Sequence, residues 1–133
     1  MKFFLPTLLF ICSFYACTSS ATLPKETEAN NKMNFEPNED GEYDIVVFDP
    51  QYEVYLKTIA LPQSYNSYEN YRRLNRIYAI IWNQRHMMPS VYDPNLYAVS
   101  IDLDQQINYG LEFEYKLYNF FKFIEWKYKV RIR

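Results

Sequence analysis

Glycine is nearly absent. The 133 residues include only Gly41 and Gly110, so no glycine-rich phosphate cradle or dinucleotide fingerprint can be assembled anywhere along the chain. Histidine is scarcer still. A serine or cysteine triad with an imidazole base would have to use His86, and no Gly-x-Ser-x-Gly elbow surrounds any serine. Charge of one sign is also lacking: residues 41 to 133 carry eleven basic and eleven acidic side chains. A nucleic-acid binder needs a basic surplus on one face to neutralise phosphates, so nucleic acid is excluded as a partner. The small acidic excess lies in residues 17 to 40, with five acids against two bases.

What the chain has in quantity is aromatic side chains, 20 % of residues, with 14 Tyr and 10 Phe. These bury enough area for one small core, which is all that about ninety residues can build once a leader and a linker are set aside.

The leader is visible at the start. Met1-Lys2 gives a positive beginning and Phe3 to Tyr15 an apolar run broken by Pro6 and Ser13. Thirteen residues at helical rise fall short of a hydrocarbon core roughly 30 Å thick, so the run reads as a signal peptide over 1–16 and not as a permanent span. It ends in Tyr15-Ala16-Cys17-Thr18-Ser19-Ser20, which resembles a lipoprotein processing site. That resemblance implies cleavage before Cys17 and acylation of its thiol. Two or more chains, at about 0.8 kcal/mol per buried CH₂, hold a protein stably to a membrane. Ordinary signal cleavage nearby, leaving a free thiol, is the alternative. Cys12 would leave with the leader, so a mature chain beginning at Cys17 cannot form an internal disulfide. The expected location is the cell envelope, lipid-anchored, at the outer membrane facing the periplasm. Residues 17–41, rich in Thr, Ser, Glu and Asn, read as a disordered acidic tether.

A single domain is expected over 42–133. Tyr43 to Phe48 forms a β-branched run that predicts a buried strand. Asp49 as N-cap with Pro50 at the first helical position predicts a short helix to about Thr58. From Ser67, Tyr71, Leu74, Tyr78, Ile81 and Trp82 recur at helical spacing to about Met88. Tyr97, Val99, Ile101 and Leu103 alternate as in a half-buried strand. After Gly110, Phe113, Leu117, Phe120, Phe121, Ile124 and Tyr128 share a helical face, and Glu112 with Lys116 and Glu125 with Lys129 fit i,i+4 pairing. Lys127 to Arg133 alternates basic with apolar, which predicts a final strand. The expected fold class is therefore α+β: two long amphipathic helices packed on a short sheet of two or three strands that includes the first and last segments.

Three stretches carry a family resemblance: Tyr43-Asp44-Ile45-Val46-Val47-Phe48-Asp49-Pro50, Trp82-Asn83-Gln84-Arg85, and Tyr109-Gly110-Leu111-Glu112 with Tyr115 to Asn119. Together they resemble a family of uncharacterised envelope lipoproteins from Bacteroidetes-type bacteria over residues 42 to 133. The resemblance implies location and domain extent, and no chemistry. Gln51 and Tyr55 stand where a small residue and a tryptophan are expected in such a family.

Candidate chemistry is thin. His86-Met87-Met88 offers ligands of the kind Cu(I) favours, but consecutive helical residues point about 100° apart and no second cluster completes a site, so no metal is assigned. Asp102 and Asp104 would share a strand face as an acid pair for glycoside hydrolysis, or be solvated acids at a strand end. The run from Asp102 fails as a calcium loop because Ile107 occupies the glycine position and Phe113 the glutamate position. No catalytic residues and no cofactors are assigned. The candidate binding patch is Arg72, Arg73, Arg76, Trp82, Asn83 and Arg85, since arginine beside aromatics suits stacking and bidentate hydrogen bonding; a solvated helix face with tyrosines beneath it is the alternative. The expected partners are a membrane through acylated Cys17 and an envelope protein, and the expected function is a non-enzymatic binding or scaffold module. A glycan-binding or weakly hydrolytic protein acting on cell-wall or capsule polysaccharide is the second reading.

Overall fold

Three of the predicted starts are realised as helices. The computed structural model describes residues 32, 33 and 35–132; the leader, Cys17 and the first part of the tether lie outside them. Helix α1, Pro50–Thr58, begins as read: Asp49 Oδ1 accepts from the Gln51 amide at 3.0 Å and Pro50 opens the first turn. Helix α2, Tyr68–His86, is capped by Ser67, whose Oγ accepts from Asn70 N at 3.3 Å. Helix α3, Leu111–Tyr128, follows Gly110 at φ 85° and ψ 159°, backbone open essentially to glycine alone. A short 3-10 turn, Gln63–Tyr65, joins α1 to α2.

Central to the core is α3. Its Phe113, Leu117, Phe121 and Phe123 are fully buried. On one side α1 lies antiparallel to it, Asp49 pairing with Lys127 and the Tyr115 hydroxyl donating to Leu61 O at 3.0 Å. On the other, α2 runs in the same direction: Tyr71 meets Tyr115, Trp82 meets Phe120, and Arg85 donates to Arg131 O. Most of the aromatic surplus is spent here, in edge-on pairs such as Tyr52 with Phe123 at 5.6 Å and stacked pairs such as Tyr78 with Phe121 at 5.2 Å. The tyrosines also tie elements together by their polar ends: Tyr52 donates to Lys116 O at 2.6 Å and Tyr71 to Gln63 O at 3.2 Å. Burial pushes both phenols up from their ordinary pKa, since ionising them would strand a charge in the core.

Strand content is smaller than expected. The described residues hold one parallel pair, β1 (Lys32–Met33) with β2 (Ser100–Ile101), in the register Lys32 to Ser100 and Met33 to Ile101. The described residues thus form a small, mixed, helix-dominated domain with three α-helices and one strand pair, and not two helices laid on a sheet. Residues 43 to 48, expected as a buried strand, are an extended strap on α3. Ile45 is buried and Lys116 holds Asp44 at 2.8 Å, while Val46 and Phe48 point outward. Among the described residues no strand pairs along the strap, and of its β-branched residues Ile45 is the one that is buried in the core. Tyr43 makes an isolated antiparallel bridge, to Pro37.

The last segment also differs. The helix continues to Tyr128, and Lys129 turns the chain through a left-handed conformation at φ 56°. Ile132 then inserts into the core and its amide donates to Glu125 Oε1 at 2.8 Å. The basic–apolar alternation arises from a helix end followed by a hooked tail, and the expected contact of first and last segments in a sheet does not form. Glu112 and Lys116 pair as expected, at 3.1 Å. Glu125 pairs instead with Lys122, because Lys129 has left the helical register. Phe35, on the tether side of residue 42, packs against Phe113 at 4.8 Å.

Candidate functional site

Five of the six residues predicted as a binding patch face the segment 97–105, which runs back along α2. Arg72 donates to Gln105 O, and Arg76 to Asp104 O at 3.2 Å. The Asn83 amide bonds the Ile101 backbone twice, donating to its carbonyl and accepting from its N–H, each at 2.8 Å, as a neighbouring strand would. Trp82 is 2 % exposed and its indole N–H donates to Val99 O at 2.7 Å. Arg85 donates to the Tyr97 hydroxyl at 2.7 Å and sits over the Tyr92 ring at 5.1 Å. Arg73 bonds Asn70 on its own helix. The six residues do lie along one helix, and five of them hold the returning chain in place. Their guanidinium, amide and indole groups donate to backbone carbonyls of the returning chain at residues 99, 101, 104 and 105.

Behind this row is a buried polar cluster. Glu114, one turn into α3, is 0 % exposed. Its Oε2 accepts from Asn75 Nδ2 at 2.7 Å and its Oε1 faces Arg76 Nη1 at 3.5 Å. A helical pattern does not reveal it, because Glu112 and Glu114 look alike in sequence and only one of them faces α2.

Between α2 and β2 lies a shallow groove of about 150 Å³, lined by Arg76, Ala79, Ile80, Asn83, Ile101 and Leu103. Beside it, Arg73, Ile77, Ile80, Gln84 and Met87 recur at intervals of four and three on the outward face of α2, and Ile80 is 60 % exposed. The stripe was legible as leftover apolar residues outside the face defined by Tyr71, Leu74 and Tyr78. A second hollow, of about 350 Å³, lies where Gly41 to Tyr43 meet the start of α3.

His86 Nδ1 lies 2.7 Å from Tyr97 O, so its ring is turned toward the returning chain, while Met87 and Met88 are exposed. Among the described residues no group of three or more His, Cys, Asp or Glu is placed to hold a metal ion. Asp104 Oδ1 accepts from Gln106 N at 2.7 Å. The hydrogen bond from Lys127 holds the Asp49 carboxyl below the usual carboxylate range. Among the described residues no helix is long and apolar enough to cross a membrane. No curated protein and no solved structure matches the chain. The model of one family of unknown function, DUF6146, matches residues 3–133, and the chain belongs to that family.

Proposed function

We propose that the protein is a non-enzymatic envelope module, lipid-anchored through Cys17, that docks on an envelope protein through the outward face of α2. The observation that supports this is the exposed stripe of Ile77, Ile80 and Met87 flanked by Arg73. Apolar residues at intervals of three and four on a helix already packed by its other face form a ready seam for a partner helix or groove. Arg73 at the edge favours a partner with acidic groups beside its apolar ridge. The expected Arg72 and Arg76 contacts are replaced in this reading by Arg73 and Ile80, because the first two are engaged with residues 104 and 105.

The test is cross-linking in cells with the tagged full chain and with Ile80→Glu. At 60 % exposure the substitution leaves the core intact, which circular dichroism checks. A cross-linked protein lost at least tenfold in the variant is expected. Equal recovery with both chains contradicts docking through this face.

A further inference from the structure

We infer that the strap from Ile45 to Phe48 is an open strand edge that takes up, by β-strand addition, an extended segment of a partner polypeptide with apolar residues at alternate positions. The strap shares no residue with the outward face of α2.

The run is laid out as a strand. Asp44 is held by Lys116 at 2.8 Å and Asp49 by Lys127. The two lysines lie about 16 Å apart along α3 at roughly 1.5 Å per residue, a distance that the run from Asp44 to Asp49 matches at a strand's rise of about 3.3 Å. Side chains alternate accordingly: Ile45 is buried and Val47 half-buried, while Val46 is 67 % and Phe48 97 % exposed.

What a strand has and this run lacks is a ladder. Among the described residues, Val46, Val47 and Phe48 neither donate nor accept a main-chain hydrogen bond, and the Ile45 amide donates to the side chain of Asp44 at 2.7 Å. A β-branched, apolar run held straight with its N–H and C=O groups unpaired is half of a ladder. Exposed edges are ordinarily closed to other chains by lysine, proline or a glycine bulge, and residues 45–48 contain none of these.

The chemistry of the occupant follows from the row of unpaired groups. A hydrocarbon surface would leave them without partners, which is why open edges do not face lipid. A polypeptide main chain repeats donor and acceptor at the strap's own spacing. Its alternate side chains come to lie beside Val46 and Phe48, where apolar residues make the favourable cross-strand pairs. Two aligned antiparallel straps set Asp44 of one copy opposite Asp49 of the other, and like charges directly opposite are unfavourable. A segment with basic residues flanking its apolar run meets acid with base instead, so the occupant is another polypeptide.

The experiment follows amide hydrogen exchange by NMR in the full chain carrying Cys17→Ser, with a capped probe peptide of sequence Lys-Val-Thr-Val-Thr-Val-Lys. Without peptide, the amides of Val46, Val47 and Phe48 should exchange within about tenfold of the rate in an unstructured chain, because no bond protects them. Saturating peptide should slow alternate residues of the strap at least about tenfold, since a strand offers every second amide to one edge. Methylating the Val and Thr nitrogens of the peptide removes its donors, keeps its side chains and should abolish the effect. Val46→Asp, at an exposed position, should weaken peptide binding at least about fivefold with the urea midpoint unmoved. No slowing, equal slowing by the methylated peptide, or slowing spread evenly over all three amides overturns the proposal. Protection that appears without peptide and grows with protein concentration also overturns it, by assigning the edge to a second copy. The probe does not involve α2, so failure here is distinguishable from failure of docking through Ile80.

Discussion

Trp82→Ala should destabilise the domain by about 4 kcal/mol. The indole is 2 % exposed, packs edge-on to Tyr97 at 4.8 Å and against Phe120 at 5.4 Å, and donates its one hydrogen bond to Val99 O. Removing it opens a cavity beside Phe121 and leaves the Val99 carbonyl without its donor, while the returning chain loses its grip on α2. Against a total stability of about 5–15 kcal/mol this is a large fraction. At a urea slope of about 1–2 kcal/mol per molar, the midpoint should fall by about 2–4 M. Trp82→Phe keeps most of the packing and should lose less than half as much. A midpoint unmoved by Trp82→Ala, together with loss of a partner, would return this residue to the binding surface.

Glu114→Ala should cost about 3 kcal/mol. The carboxylate is fully buried and answers both Asn75 and Arg76, so its removal leaves an amide donor and a guanidinium short of partners. Arg76 is 20 % exposed, and water offsets part of that loss, which keeps the figure near the lower bound for a broken buried pair. Glu114→Gln retains an acceptor for Asn75 Nδ2 and should lose about half as much. The cluster sits where the second and third turns of α2 meet the first turn of α3. It already contains two buried atoms without a partner among the described residues, Asn75 Oδ1 and the Tyr68 hydroxyl. A network in that state has little slack. Urea unfolding of the two variants side by side checks the ranking, and equal midpoints for alanine and glutamine would show that the charge of Glu114 carries the whole effect and the retained acceptor none of it.

Helix starts were legible because their chemistry is local. Asp49 before Pro50 and Ser67 before the Tyr71 to Trp82 stripe cap helices whatever else the chain does, and Pro89 agrees with an end near His86. Strands were not, because a strand needs a partner that no single segment announces. Tyr43 to Phe48 has the composition of a buried strand and is a strap on α3, while the pair that does form joins residues 32 and 33 to residues 100 and 101. At the C-terminus, alternation of Lys127, Lys129 and Arg131 with apolar residues matched a strand, and the left-handed turn at Lys129 that separates helix from tail left no signal in the pattern.

The candidate patch shows a similar division. Its residues are neighbours along α2, as their spacing required, yet arginine and asparagine beside aromatics describe both a recognition surface and a clamp on unpaired backbone. Which one operates depends on whether a carbonyl lies within reach, and the 97–105 segment supplies several. Ile77 and Ile80 carry the complementary signal, apolar positions that the helix's buried face cannot use.

The claim on which the rest turns is the anchor at Cys17, and the direct measurement is metabolic labelling with a palmitate analogue of cells making the tagged full chain or its Cys17→Ala form. The account predicts label on the native chain at the mass of a protein cut before residue 17, and none on the variant. A native chain that is processed but unlabelled would contradict it.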